Sequence, residues 1–129
     1  MATSYSDQMG KLPILSSRLN QYIFILYNYD NNSIHAHPLK SNQASEIIEA
    51  WKSCYDVPKN KCAATILHIL DNECATVMKE ALIENDVTFQ LVPLCTHLRN
   101  DAEWSICTFK NHLCKVMTSC DPNLPTKKW

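Results

Sequence analysis

The sequence predicts an α/β fold: a mixed sheet of about five strands, a three-strand meander followed by alternating helices and strands, with helices on both faces. Three observations lead there. Two runs, Gln21–Tyr27 (QYIFILY) and Ala64–Leu70 (ATILHIL), are nearly continuous in apolar, β-branched and aromatic residues, as in strands covered on both sides. Three other stretches repeat apolar residues at helical spacing. The 129 residues, 46% hydrophobic and 19% charged, match one globular domain with a core of its own, residues 1–129, ending in an irregular tail over 119–129.

The elements follow in order. Tyr5 and Ser6 read as the tail of a first strand cut short by the start of the chain, before a loop through Gly10 and Pro13. Gln21–Tyr27 is the second strand, Asp30-Asn31-Asn32 a turn, and Ser33–Pro38 the partner strand of a hairpin. Ala44, Ile47, Ile48 and Trp51 mark an amphipathic helix with Trp51 in the core, capped by Ser41 or Asn42, with Pro58 beyond its end. Ala64–Leu70 is a buried strand ending at Asp71. Cys74, Val77, Met78, Ala81 and Leu82 form a second helix stopped near Asn85, and Val87–Val92 (VTFQLV) a short strand. Pro93–Leu98 is a loop. The last helix runs from about Arg99 to Thr118 and buries Ala102, Ile106, Phe109, Leu113, Val116 and Met117.

Charge and cysteine usage exclude several classes. Twelve Lys+Arg against thirteen Asp+Glu give a net charge of −1, which argues against strong nonspecific binding to a polyanion. The seven cysteines (54, 62, 74, 95, 107, 114 and 120) form no CxxC pair, so neither a zinc ribbon nor a disulfide framework is indicated. They read as reduced thiols packed as small apolar residues in an intracellular protein. No run approaches the length of a membrane span, and Met1–Gly10 has no apolar signal core.

Three acids stand out by position. Asp7 opens the chain, Asp71 ends an apolar strand, and Glu103 lies early in the last helix on the shoulder of its apolar face, with Cys107, Lys110 and Cys114 following on that shoulder. Carboxylate oxygens are preferred ligands of Mg²⁺, and three converging carboxylates can hold two ions about 4 Å apart for phosphoryl transfer. Each acid also has a plain structural reading. Asp71-Asn72 suits a strand-to-helix turn, Glu103 suits a helix N-terminus, and Asp7 suits a solvated charge. Arg99, Lys110 and Lys115 form a small basic edge on the last helix, equally compatible with a solvated face. His35 and His37 share one strand face without a third ligand, and His97 and His112 read as surface histidines.

From Ser6 onward the chain resembles the catalytic core of a retroelement integrase, of the copia-like and retroviral type with an RNase H-like fold. The stretches that carry the resemblance are SDQMGKLP (Ser6–Pro13), QYIFILYNYDNNSIHAHPLKS (Gln21–Ser41), LDNE (Leu70–Glu73), VTFQLVP (Val87–Pro93) and RNDAEWSICTFKNHL (Arg99–Leu113). By position Asp7 matches the family's first aspartate, Asp71 its second and Glu103 its final glutamate. The last two are separated by 103 − 71 = 32 residues, shorter than is usual there. The resemblance implies Mg²⁺ or Mn²⁺ (two ions) held by these acids, 3′-end processing and DNA strand transfer. It also implies DNA contacts through Arg99, Asn100 and Lys110, retroelement ends and target DNA as partners, a homo-oligomer, and a nuclear location if functional, cytoplasmic otherwise. Two departures stand against it. Asn72-Glu73-Cys74 replaces a glycine-rich stretch, and Trp104 and Cys107 stand where arginines are expected, removing phosphate-binding charge. The expectation is a fragment or decayed reading frame of an integrase core. The alternatives are a non-catalytic remnant and a small α/β interaction domain for nucleic acid or protein.

Overall fold

The computed structural model describes residues 3–59, 67–71, 76–92, 101–123 and 125, without the side chains of residues 57–59, 71 and 101–102. Eight elements lie in it: β1 (Thr3–Met9), β2 (Tyr22–Asn28), β3 (Ser33–Leu39), α1 (Ala44–Lys59), β4 (Leu67–Asp71), α2 (Thr76–Glu84), β5 (Thr88–Val92) and α3 (Asp101–Ser119). The strands form one sheet in the order β3-β2-β1-β4-β5. β1, β2 and β3 make an antiparallel meander, whereas β4 runs parallel to both β1 and β5. This is the mixed five-stranded sheet that the sequence predicts.

Helices cover both faces, each over its own core. On one face Trp51, Cys54 and Tyr55 of α1 and Met78 and Leu82 of α2 pack on Phe24, Leu26, Leu39 and Leu70. On the other, Ile106, Phe109 and Leu113 of α3 pack on Met9, Ile23 and Ile25. Strand alternation explains the division: successive residues of β2 serve opposite faces, so Ile23 through Asn28 are all buried. Trp51 is in the core, stacked on Tyr55 at 4.8 Å between ring centroids.

Local chemistry sets the boundaries. At the β2–β3 turn the Asn28 side-chain oxygen accepts the backbone N–H of Asp30 at 3.1 Å, and Asn32 takes the left-handed conformation (φ 54°) that asparagine tolerates. α2 ends in a Schellman motif. Asp86 sits at φ 57° and its N–H bonds the Ile83 carbonyl, while Val87 donates to the Leu82 carbonyl at 3.0 Å.

Several boundaries differ from expectation. β1 is a seven-residue central strand, not the short Tyr5–Ser6 tail, because it has hydrogen-bonded partners on both sides. α1 begins at Ala44, with the Gln43 carbonyl accepting the first helical bond from Ile47, so neither Ser41 nor Asn42 occupies the cap. Instead the Glu46 carboxylate reaches back to the N–H groups of Lys40 and Ser41, both at 2.9 Å. Pro58 falls inside the last turn of α1, where the buried Cys54 and Tyr55 hold the helix to the sheet. Val116, expected to be buried, is 60% exposed, and Val77, on the apolar spacing of the second helix, is 51% exposed, because each helix meets the sheet along a narrower stripe than its apolar residues span. Of the described cysteines Cys54 is buried, whereas Cys107 and Cys114 are exposed, against the expectation of packed thiols. The expected start of the last helix at Arg99, with Asn100, and the strand start at Ala64 lie outside the described residues. Among the described residues no helix is long and apolar enough to cross a membrane.

Candidate active site

β1 delivers Asp7 to the α3 side of the sheet. Ser4 and Ser6 are buried, facing the α1 core where His68 receives them, while Met9 joins the α3 core. Asp7 lies two residues before Met9 and shares its face. The Asp7 carboxylate is half-buried, and its Oδ1 accepts the backbone N–H of Gln8 at 2.7 Å.

Glu103, the third residue of α3, and Lys110, two turns further on, reach the same place. They line a cleft of about 310 Å³ together with Asp7, Gln8, Met9, Gly10, Lys11, Leu12, Pro13 and Ile106. The cleft floor is the end of β1 and the loop after it; one wall is the first half of α3. Packing of Ile106, Phe109 and Leu113 on Met9, Ile23 and Ile25 fixes that wall, so an apolar stripe sets where the acid and the lysine go. The shoulder that the helical wheel predicts divides in space: Glu103 and Lys110 face the cleft, whereas Cys107 and Cys114 are exposed and do not line it. Two carboxylates and two ammonium groups, Lys11 and Lys110, therefore border one small volume. Charge is balanced locally as it is over the chain.

Asp71 is the last residue of β4, with Val92 as its Cα partner on β5. The β1–β4 ladder pairs Thr3 with Leu67, Ser4 with His68 and Tyr5 with Ile69, a constant offset of 69 − 5 = 64. The paired residues end there; continued two residues further, the same offset, 71 − 7 = 64, would bring Asp71 opposite Asp7. Among the described residues no three His, Cys, Asp or Glu side chains converge on a common point; the Asp71 side chain is outside them. Arg99 and Asn100 also lie outside the described residues. Lys115 is exposed and does not line the cleft, so of the described part of the expected basic edge Lys110 alone borders it.

Two features escape the sequence reading. Lys11 borders the cleft although it sits in a loop whose path strand and helix periods do not fix. His68 is fully buried, its ring nitrogens 2.6 Å from Ser4 Oγ and 2.8 Å from Ser6 Oγ, and Trp51 meets it edge-on at 6.1 Å. Burial pushes its pKa down to about 3. The signal for it was present: a histidine amid ATILHIL has to be satisfied by something polar.

No family model matches the sequence, and no curated protein matches it. Solved structures do resemble the fold. One is the simian T-cell lymphotropic virus intasome in complex with PP2A regulatory subunit B56 gamma, at TM-score 0.75 and 14% identity over 96% of this chain. Another is the HTLV-2 integrase catalytic core domain in complex with magnesium, at TM-score 0.69 and 15% identity, covering 95% of this chain and 75% of that one. A third is the BIV integrase catalytic core domain, at TM-score 0.65 and 10% identity over 92% of this chain and 73% of that one. This chain spans 43% of the first chain's length. The strand order and two-sided helix cover place the fold in the RNase H-like α/β class. Within that class the fold is that of a retroviral integrase catalytic core.

Proposed function

We propose that the cleft between β1 and α3 is a divalent-metal site for DNA 3′-end processing and strand transfer, with Asp7, Asp71 and Glu103 as its ligands. The observation that carries this reading is that Asp7 and Glu103, 96 residues apart (103 − 7 = 96), border one cleft in an integrase-core fold. The β1–β4 offset supports Asp71 as the third member. The donor set is chemically apt, because hard carboxylate oxygens suit Mg²⁺ and Mn²⁺ and the described lining has no thiolate or imidazole to favour a softer ion. Bound there, one or two such ions would supply Lewis acidity and an activated water or hydroxyl.

The protein's own groups then have distinct tasks. The Gln8 N–H bond orients the Asp7 carboxylate at the cleft. Lys110 and Lys11 at the cleft rim meet phosphate oxygens of a DNA strand, with Arg99 and Asn100, which precede α3 in the sequence, as further contacts. The partners are retroelement DNA ends and target DNA, and the protein acts as a homo-oligomer in the nucleus; the HTLV-2 core's trimeric and dimeric forms support the oligomer.

The test is calorimetric titration with Mn²⁺ alongside nicking and joining of an oligonucleotide duplex. Saturable binding and metal-dependent nicking are expected, both lost in Asp7→Asn, Asp71→Asn and Glu103→Gln while the fold is retained. Absence of Mn²⁺ binding by well-folded protein sinks the proposal. A second reading, a non-catalytic remnant or small interaction domain that binds nucleic acid or protein, is favoured by the net charge of −1 and by Trp104, 60% exposed on α3. It expects partner binding that is indifferent to metal and to those three substitutions.

A further inference from the structure

Among the described residues one histidine, His68, is buried in the core between the sheet and α1, and both of its nitrogens are held by the neighbouring strand. His68 Nδ1 is 2.6 Å from Ser4 Oγ, on the residue directly opposite it in the β1–β4 ladder, and Nε2 is 2.8 Å from Ser6 Oγ, two residues further along β1. All three side chains are buried. A neutral imidazole has one donor and one acceptor, and a hydroxyl can give or take, so the two serines satisfy both ring nitrogens. Buried polar networks of this kind are no more stabilising than well-packed apolar groups of the same volume; their attested use is to specify one arrangement among several.

The sheet has a seam that needs such specification. Among the described residues six pairs join β1 to β2 and five join β4 to β5, but three join β1 to β4. A slip of one residue at this seam would turn apolar side chains to the wrong face, and hydrophobic packing resists it. A slip of two residues keeps every side chain on its face. β1 offers the α1 side no apolar anchor against that slip, because its residues there are Ser4, Ser6 and Gln8. On the α1 side of β1 the trio is what distinguishes the registers: displacement by two residues in either direction takes one of the two serines away from the ring. Asp7 lies on one side of the seam and Asp71 on the other. A two-residue slip would move them apart by about 6.6 Å along the strands, more than the spacing of a shared two-metal site, about 4 Å.

We propose that the Ser4–His68–Ser6 trio is a register lock on the β1–β4 seam, which makes His68 a positioning residue that holds Asp7 level with Asp71. This rests on the metal-site reading of those acids. The lock acts at a distance from the cleft, on the opposite face of the sheet, and needs no charge on the ring.

The experiment compares the full chain with the apolar replacement Ser4→Ala/Ser6→Ala/His68→Leu, reading thermal stability, backbone NOEs between Tyr5 and Ile69, and Mn²⁺ affinity by calorimetry. The replacement is expected to stay folded with a similar melting temperature, to show weakened Tyr5–Ile69 NOEs with new ones displaced by two residues, and to bind Mn²⁺ about tenfold more weakly. A folded replacement with the native NOEs alone and undiminished affinity overturns the proposal. Should the triple variant not fold, Ser6→Ala decides, with lower Mn²⁺ affinity expected and restored by Ser6→Thr, which keeps the hydroxyl; unchanged affinity in Ser6→Ala overturns the lock. A wild-type chain that binds no Mn²⁺ removes the metal-site reading alone, and the NOEs then decide the register lock on their own.

Discussion

Acid should destabilise this protein well above the pH at which its carboxylates protonate, and His68 is the reason. The ring is fully buried and burial pushes its pKa from the ordinary 6.5 down to about 3. Between those two values the unfolded chain binds a proton that the folded chain excludes, so folding stability rises with pH there and is lost as pH falls. The slope is about 1.4 kcal/mol per pH unit, which comes to about 2 kcal/mol between pH 6.5 and pH 5 and is bounded near 5 kcal/mol over the whole window. Protonation would also remove the acceptor that one serine hydroxyl requires, on top of placing an unpaired charge beside Trp51. Glu46, whose carboxyl is held below its usual range first by the Ser41 N–H and also by that of Lys40, adds to the loss in the same direction, but only as pH falls below 4.5. Glu46 is silent from pH 6.5 to pH 5, so in that window the difference between the wild type and a variant without the histidine reports on the ring. Urea unfolding followed by far-UV circular dichroism at half-unit pH steps measures it, with Ser4→Ala/Ser6→Ala/His68→Leu as the control. The wild type should lose about 2 kcal/mol more across this window than the control does. Equal slopes in the two proteins would refute the assignment.

Two further outcomes follow from packing and exposure. Leu82, with no exposed surface, bridges α2 to the β2, β3 and β4 side of the core, so Leu82→Ala should cost about 2–5 kcal/mol in denaturant unfolding with no change in the folded spectrum. A loss under about 1 kcal/mol would mean that α2 is not anchored where the core requires. Thiol labelling of native protein, resolved by peptide mass, should modify Cys107 and Cys114 and spare Cys54, whose thiol is buried and pushed up to about 11. Cys54 should react only in denaturant; native labelling there would contradict the packing of α1.

How much was legible depended on whether a local period carried the information. The continuous apolar run of β2 and the i, i+3, i+4, i+7 stripe of α1 report directly which faces are covered, and both elements appear with Ile23–Asn28 and Trp51 buried. β1 was underestimated because its sequence, TSYSDQM, is polar; it is central through its hydrogen bonds to β2 and β4 and through a serine pair satisfied by a histidine 62 to 64 residues away. Val116 continues the apolar spacing of α3, yet it is exposed, outside the narrower stripe that meets the sheet. Cap identity at Gln43 and the path of Lys11 into the cleft depend on backbone geometry that a neighbouring element dictates.

The sequence by itself determined the order and type of the elements, the two-sided cover of the sheet, and the residue types able to hold a hard cation. Each of these is written in a repeat of two or about 3.6 residues and needs no knowledge of distant chain. Only the tertiary structure decided that Asp7 and Glu103 border one cleft with Lys11 and Lys110, and that β4 lies beside β1 at an offset of 64. Which strand pairs with which, and in what register, is settled by contacts between residues far apart in the chain, and hydrophobic alternation is blind to a shift of two.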